Sequence, residues 1–227
     1  YKRATVIIEK VRGKDDPSLL NGMINVAGYY LTQKGKENDA EPLLTRALPI
    51  AVKLYGTDSI NIVWTLSALG AIYSNQKKYD KAEPLLKRAL ANLAKAREVD
   101  KTGDTAELLW YLEALADTYH AQKKDTEAEP LYKRALALRE KETEPNETKI
   151  AATISLLAEI SLALKRNDQA MTYFKRVVEM LDKPQGEAQE APASAPLAAA
   201  LSGLGELSRL QGKPEEAEPL LTRALEM

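Results

Sequence analysis

The 227-residue chain has no cysteine and one histidine, and its 32 Lys and Arg nearly balance 33 Asp and Glu. Without cysteine there is no disulfide, no thiol nucleophile and no thiolate zinc site. One histidine excludes a multi-histidine metal centre. A formal net charge of -1 argues against a general binder of nucleic acid or anionic membrane surface. No apolar run approaches the roughly 20 residues that a membrane span needs. Neither a signal peptide nor an initiator methionine opens the chain, so a processed or cut piece of a longer protein is expected. The lack of cysteine fits cytoplasm and bacterial periplasm equally, and compartment stays open.

What is present is a repeat. AEPLLTRAL at 40–48 returns as AEPLLKRAL at 82–90, AEPLYKRAL at 128–136 and AEPLLTRAL at 217–225, with a degenerate AMTYFKRVV at 170–178. The leading alanines Ala40, Ala82, Ala128, Ala170 and Ala217 lie 42, 46, 42 and 47 residues apart. Twelve residues before each stands Gly28, Gly70, Ala116, Ala158 or Gly205. Self-similarity at such a period marks a stacked array.

Both phrases have helical periodicity. Leu66, Leu69, Gly70 and Tyr73 follow i, i+3, i+4, i+7, and Ala82, Leu85, Leu86, Ala89 and Leu90 keep one apolar face. Each unit is therefore expected to be a helix–turn–helix hairpin. The Gly or Ala of the first helix and the alanines of the second let the two helices cross closely. Asp80 with Glu83, and Thr126 with Glu129, have the spacing of a capping box. Pro42, Pro84, Pro130 and Pro219 fall within about the first turn and a half, where few backbone hydrogen bonds are lost.

The AEPLxxRAL phrase with its upstream small residue resembles the tetratricopeptide repeat (TPR), in the 42-residue form of kinesin light chains. The resemblance covers essentially the whole chain. It implies an all-α fold, an α-solenoid of stacked helix–turn–helix units in a right-handed superhelix, with the second helices on the convex face. Residues 1–16 match the tail of a truncated preceding repeat, and 17–227 hold five helix pairs with a flexible Ala/Pro-rich loop at 182–196. Uncapped terminal repeats predict a fragment of a longer array, or end-to-end self-association.

Catalytic motifs are missing. There is no GxxxxGK[ST] and no HExxH, and GLGELS at 203–208 falls inside a repeat's first helix, not in a dinucleotide turn. Glu113, Asp117 and His120 share one helical face, a spacing better explained by a solvated surface than by a metal site. No enzyme, metal or cofactor is expected.

In the resembled family the first helices line a concave groove that grips partner segments. Its positions lie six and three before, and one and four after, the small contact residue. The candidate groove residues are Asn25, Tyr29, Trp64, Ser67, Trp110, Glu113, Asp117, His120, Ser155, Glu159, Glu206 and Arg209. The basic residues of the family's carboxylate clamp and acidic-cargo grooves are absent from these positions except Arg209. Asp117, Glu159 and Glu206 instead form an acidic row suited to a Lys/Arg-bearing protein or peptide segment. Trp64 and Trp110 either contact that ligand or wedge between repeats. The resemblance implies a non-catalytic scaffold for protein–protein interaction. The alternative is a regulatory or sensor region of a larger multidomain protein.

Overall fold

A computed structural model of the chain describes residues 9–11, 13, 16–99, 105–182 and 191–227. Five consecutive helix pairs follow one another: α1 (Ser18–Leu31) with α2 (Glu37–Tyr55), α3 (Val63–Asn75) with α4 (Tyr79–Val99), α5 (Thr105–Ala121) with α6 (Asp125–Arg139), α7 (Glu147–Ala163) with α8 (Asn167–Leu181), and α9 (Ala191–Leu210) with α10 (Pro214–Glu226). No strand occurs among the described residues. The fold is all-α and built of helix–turn–helix pairs, as the repeat implies. Two compact units divide it, Tyr1–Thr118 and Tyr119–Met227.

In the first unit the core lies between successive pairs. Val26, Ala27 and Tyr30 of α1, Ala40 and Leu44 of α2, and Ala68, Leu69 and Ile72 of α3 form one buried cluster. These are the repeat's periodic positions, so the phrase that identifies the unit also supplies its stacking surface. Each fully buried leucine contributes about 1.5–3 kcal/mol of transfer free energy. Neighbouring units are needed to complete that burial.

Close crossing is visible at Gly70. A Cβ built there would lie 2.6 Å from Leu86 Cγ and 3.5 Å from the carbonyl oxygen of Ala82. The second unit repeats the arrangement, with Gly205 placing such an atom 2.6 Å from Leu221 Cγ and 3.3 Å from Ala217 O. Gly28 occupies the same repeat position yet has room: its nearest neighbours would be Trp64 ring carbons at 3.7 and 3.8 Å. Where the degenerate copy substitutes Phe174, the next pair provides Gly203, whose hydrogen side faces the phenyl ring.

The repeat's arginine has a structural use. Arg46 pairs with Glu9, and Arg88 donates to the Thr57 carbonyl at 2.8 and 3.1 Å. In the second unit Arg176 pairs with Glu140 and Arg223 with Asp182, the two acids that follow α6 and α8. One side chain thus ties each of these second helices to the end of the preceding one. Glu129 of α6, nearly buried, accepts from Lys133 at 2.6 Å and from Arg166 at 2.8 Å. Those two cations outweigh the burial penalty and hold its carboxyl below the usual range.

Two expectations change. The capping box expected at Thr126 does not form: α6 starts at Asp125, so Thr126 lies inside its first turn, and α4 likewise starts at Tyr79, ahead of Asp80. Thr126 Oγ1 donates to the neighbouring Glu127 instead, and no side chain caps α6. The expected loop at 182–196 is shorter at its end, because α9 already begins at Ala191. Alanine's helix propensity wins there, with Pro196 in the second turn of this first helix. Residues 183–190 of that loop, and 1–8 of the expected N-terminal tail, lie outside the described residues.

Candidate functional site

The first helices present the expected register unevenly. Asn25, Tyr29, Trp64, Trp110, Asp117, Glu159, Glu206 and Arg209 are exposed, and Glu113 and His120 are half-buried. Ser67 and Ser155 are buried, and Ser67 nonetheless lines a pocket on this face. Ser67 Oγ hydrogen-bonds to the carbonyls of Val63 and Trp64, both at 2.9 Å, satisfying itself within α3. Ser155 Oγ has no hydrogen-bond partner.

In Tyr1–Thr118 the two indoles meet. Trp64 of α3 and Trp110 of α5 line one pocket of about 410 Å³. Its buried lining is Ser67, Ala68, Ile72 and Tyr111; Leu31 and Ala71 add half-buried apolar surface, and Glu37, Asn75 and Glu107 supply polar groups. Trp64 also covers Gly28 of α1, so it packs between pairs and lines the pocket with the same ring. Trp110 stands edge-on to Tyr111, with ring centroids 5.1 Å apart and planes at 81°.

Tyr111 donates its hydroxyl hydrogen to Glu107 Oε1 at 2.9 Å. Burial first, and the adjoining Glu107 carboxylate second, push the phenol up to about 12. The hydroxyl therefore stays a neutral donor at physiological pH and fixes the Glu107 carboxylate beside the pocket.

A second pocket of about 350 Å³ adjoins the first and shares Ala71, Asn75 and Trp110 with it. Ser74, Glu113, Ala114 and Asp117 complete its lining. Thr118, donating to the Ala114 carbonyl at 2.8 Å, meets Ser74 Oγ at 3.1 Å and so joins α5 to α3. Two of the expected acidic positions thus face the same cavity as one tryptophan.

Tyr119–Met227 holds the remaining candidates. His120 Nδ1 lies 2.6 Å from Asp125 Oδ1, at the start of α6. The histidine is engaged across its own turn, and among the described residues no three His, Asp or Glu side chains form a metal-sized group. Glu206 is paired with Arg209 at 2.9 Å, one turn along α9. Glu159 sits exposed on α7. The three carboxylates of the expected row fall in two units, Asp117 in the first, Glu159 and Glu206 in the second.

Glu37, Glu107 and Tyr111 were missed by reasoning from groove positions alone. For the last two a signal existed: Glu107 and Tyr111 stand i, i+4 on either side of Trp110, a spacing that brings carboxylate and phenol together.

A family model described as tetratricopeptide repeat matches residues 28–95, 88–141 and 104–183, and a second one matches 200–227. No relative was found among the curated proteins. Among solved structures, a kinesin light chain-like protein from Podosopora anserina with nearly identical TPR-like repeats is similar at a TM-score of 0.69 and 22% identity, over 92% of this chain and 94% of that one. BtubC (BKLC) from P. vanneervenii is similar at 0.65 and 20% identity, over 99% and 85%. Aspartyl phosphate phosphatase F from Bacillus subtilis is similar at 0.62 and 16% identity, over 97% of this chain and 53% of that one. At such identities the likeness is one of fold.

Proposed function

Because the chain belongs to the tetratricopeptide repeat family, we propose that it is a non-catalytic protein-interaction scaffold whose first helices receive a segment of a partner protein. The observation that carries this reading is the pocket between Trp64 and Trp110. Two large aromatic side chains, each two-fifths or more exposed, border an apolar recess. Clustered exposed aromatics around a concavity are the usual anchors of protein recognition. Its volume lies in the range of about 300–1,000 Å³ typical of ligand clefts.

The test is affinity capture from the native lysate followed by hydrogen exchange on the purified complex. Protection is expected in peptides from α1, α3 and α5. Protection confined to α2 and α4 would place docking on the second helices and end this reading. Repeating the capture with Trp64→Ala and Trp110→Ala should remove the partner while the circular dichroism spectrum stays helical.

A further inference from the structure

The two adjoining pockets of Tyr1–Thr118 differ in chemistry, and the difference defines an occupant. Resting on the reading that the first helices bind a partner segment, we propose that they recognise two side chains together: a large apolar or aromatic residue between Trp64 and Trp110, and a Lys or Arg beside Glu113 and Asp117.

The first pocket suits an apolar side chain. Leu31, Ala68 and Ile72 contribute hydrocarbon, and the indoles add broad apolar faces. Such a residue transfers surface from water at about 25 cal/mol per Å². The second pocket suits a cation. Glu113 and Asp117 line it, Glu37 and Glu107 line its neighbour, and no Lys or Arg lines either among the described residues. Two carboxylates in each of two adjoining recesses raise the local concentration of cationic segments and disfavour acidic ones. Trp110 belongs to both pockets, so its indole also offers a cation–π face to the same ammonium or guanidinium.

The shared wall restricts the spacing. Two pockets that share Ala71, Asn75 and Trp110 are reached by neighbouring positions on one face of the occupant. In an extended segment these are residues i and i+2; in a helix they are i and i+3 or i+4. The recognised element is therefore a short basic–apolar motif. An acidic motif is selected against.

The experiment uses the full chain and a phage-displayed library of random peptides. Trp64 and Trp110 are the only two tryptophans, so enriched peptides lacking tryptophan can be titrated by intrinsic fluorescence. The expected consensus pairs Phe, Tyr, Leu or Met with Lys or Arg at one of those spacings, and binding should shift the emission. Glu113→Lys with Asp117→Lys should weaken a recovered peptide roughly ten-fold or more and turn the selection toward Asp and Glu. Glu113→Gln with Asp117→Asn, nearly isosteric, gives the same direction if the reversed-charge protein fails to fold.

The two readings fail differently. Peptides that need Trp64 or Trp110 but carry acidic residues, or no charge preference, overturn the two-residue motif and leave docking on the first helices intact. Peptides indifferent to substitutions in both pockets overturn both. A selection that enriches nothing overturns the motif.

Discussion

Gly70 of α3 lies beneath Leu86 of α4 with no space for a methyl group, since an added Cβ would stand 2.6 Å from the leucine Cγ. Gly28, at the same position one repeat earlier, would place its methyl 3.7 Å from Trp64, an ordinary contact. The same substitution should therefore have opposite signs. Gly70→Ala forces two packed helices apart and should cost about 1–3 kcal/mol. Gly28→Ala removes a helix-interior glycine without a clash and should gain about 0.5–1 kcal/mol. Urea unfolding midpoints at constant m-value measure both; equal effects would contradict the packing.

The hairpin turns share a backbone requirement. Gly35, Lys77, Lys123, Lys165 and Gly212 hold equivalent repeat positions, and all have positive φ, between 58° and 81°. At the three lysines the following amide donates back five residues: Lys78 to Tyr73 at 2.8 Å, Lys124 to Tyr119 at 2.9 Å and Arg166 to Ser161 at 2.8 Å. This is the hydrogen bond of a Schellman cap, which glycine closes without a Cβ penalty. Replacing Lys77, Lys123 or Lys165 by Gly should each stabilise by about 0.5–1 kcal/mol, the left-handed penalty less glycine's added freedom when unfolded. Lys77→Val should destabilise instead, because a β-branched residue resists this region. Thermal melts of the single variants provide the check.

The fold was legible because its signal is repeated: Ala40, Ala82, Ala128, Ala170 and Ala217 announce one helix pair five times. The left-handed turn position was not read from the sequence, because lysine at 77, 123 and 165 gives no local hint of such a backbone. The site was harder. Groove positions placed Trp64 and Trp110 on the exposed face, but their meeting in one pocket depends on how α3 and α5 stack. Ser67 lies at a groove position and lines that pocket, but its hydrogen bonds to the Val63 and Trp64 carbonyls, which depend on its rotamer, were not legible. Asp80 and Thr126 have capping-box spacing, yet the helices begin ahead of them, at Tyr79 and Asp125, a shift that side-chain pattern does not encode.

Arg223 holds Asp182 below the usual carboxylate range, mainly through its hydrogen bonds, and the aspartate in turn raises the guanidinium. A depressed folded-state value gives stability present above the unfolded value, about 3.9, and lost as pH falls through the folded one. Both side chains are partly solvated, so screening limits the contribution to under about 1 kcal/mol. Arg223→Met should return Asp182 to its ordinary titration, read by carboxyl-carbon NMR. Its stability deficit at neutral pH should fade below about pH 4; a deficit unchanged in acid would assign the loss to packing.

Tyr111 makes the complementary prediction at alkaline pH. Its phenol is pushed up to about 12 by burial and by Glu107, whereas an unfolded tyrosine titrates near 10. Between those values the folded chain keeps a proton that the unfolded chain loses. Stability contributed by this group is therefore full below pH ~10 and falls as pH rises toward about 12, by about 2–3 kcal/mol at most. Lysine deprotonation acts in the same interval, so the informative quantity is the difference from Tyr111→Phe. That variant loses the 2.9 Å hydrogen bond to Glu107 and should be about 0.5–1.5 kcal/mol less stable near neutrality. Its disadvantage should shrink or reverse as pH climbs past 10, because phenylalanine has no proton to release. Phenolate absorbance should show one step near pH 12 missing from the variant. A parallel decline of both proteins, with that late step retained, would mean Tyr111 ionises as an ordinary exposed phenol and that Glu107 is not held beside the pocket by it.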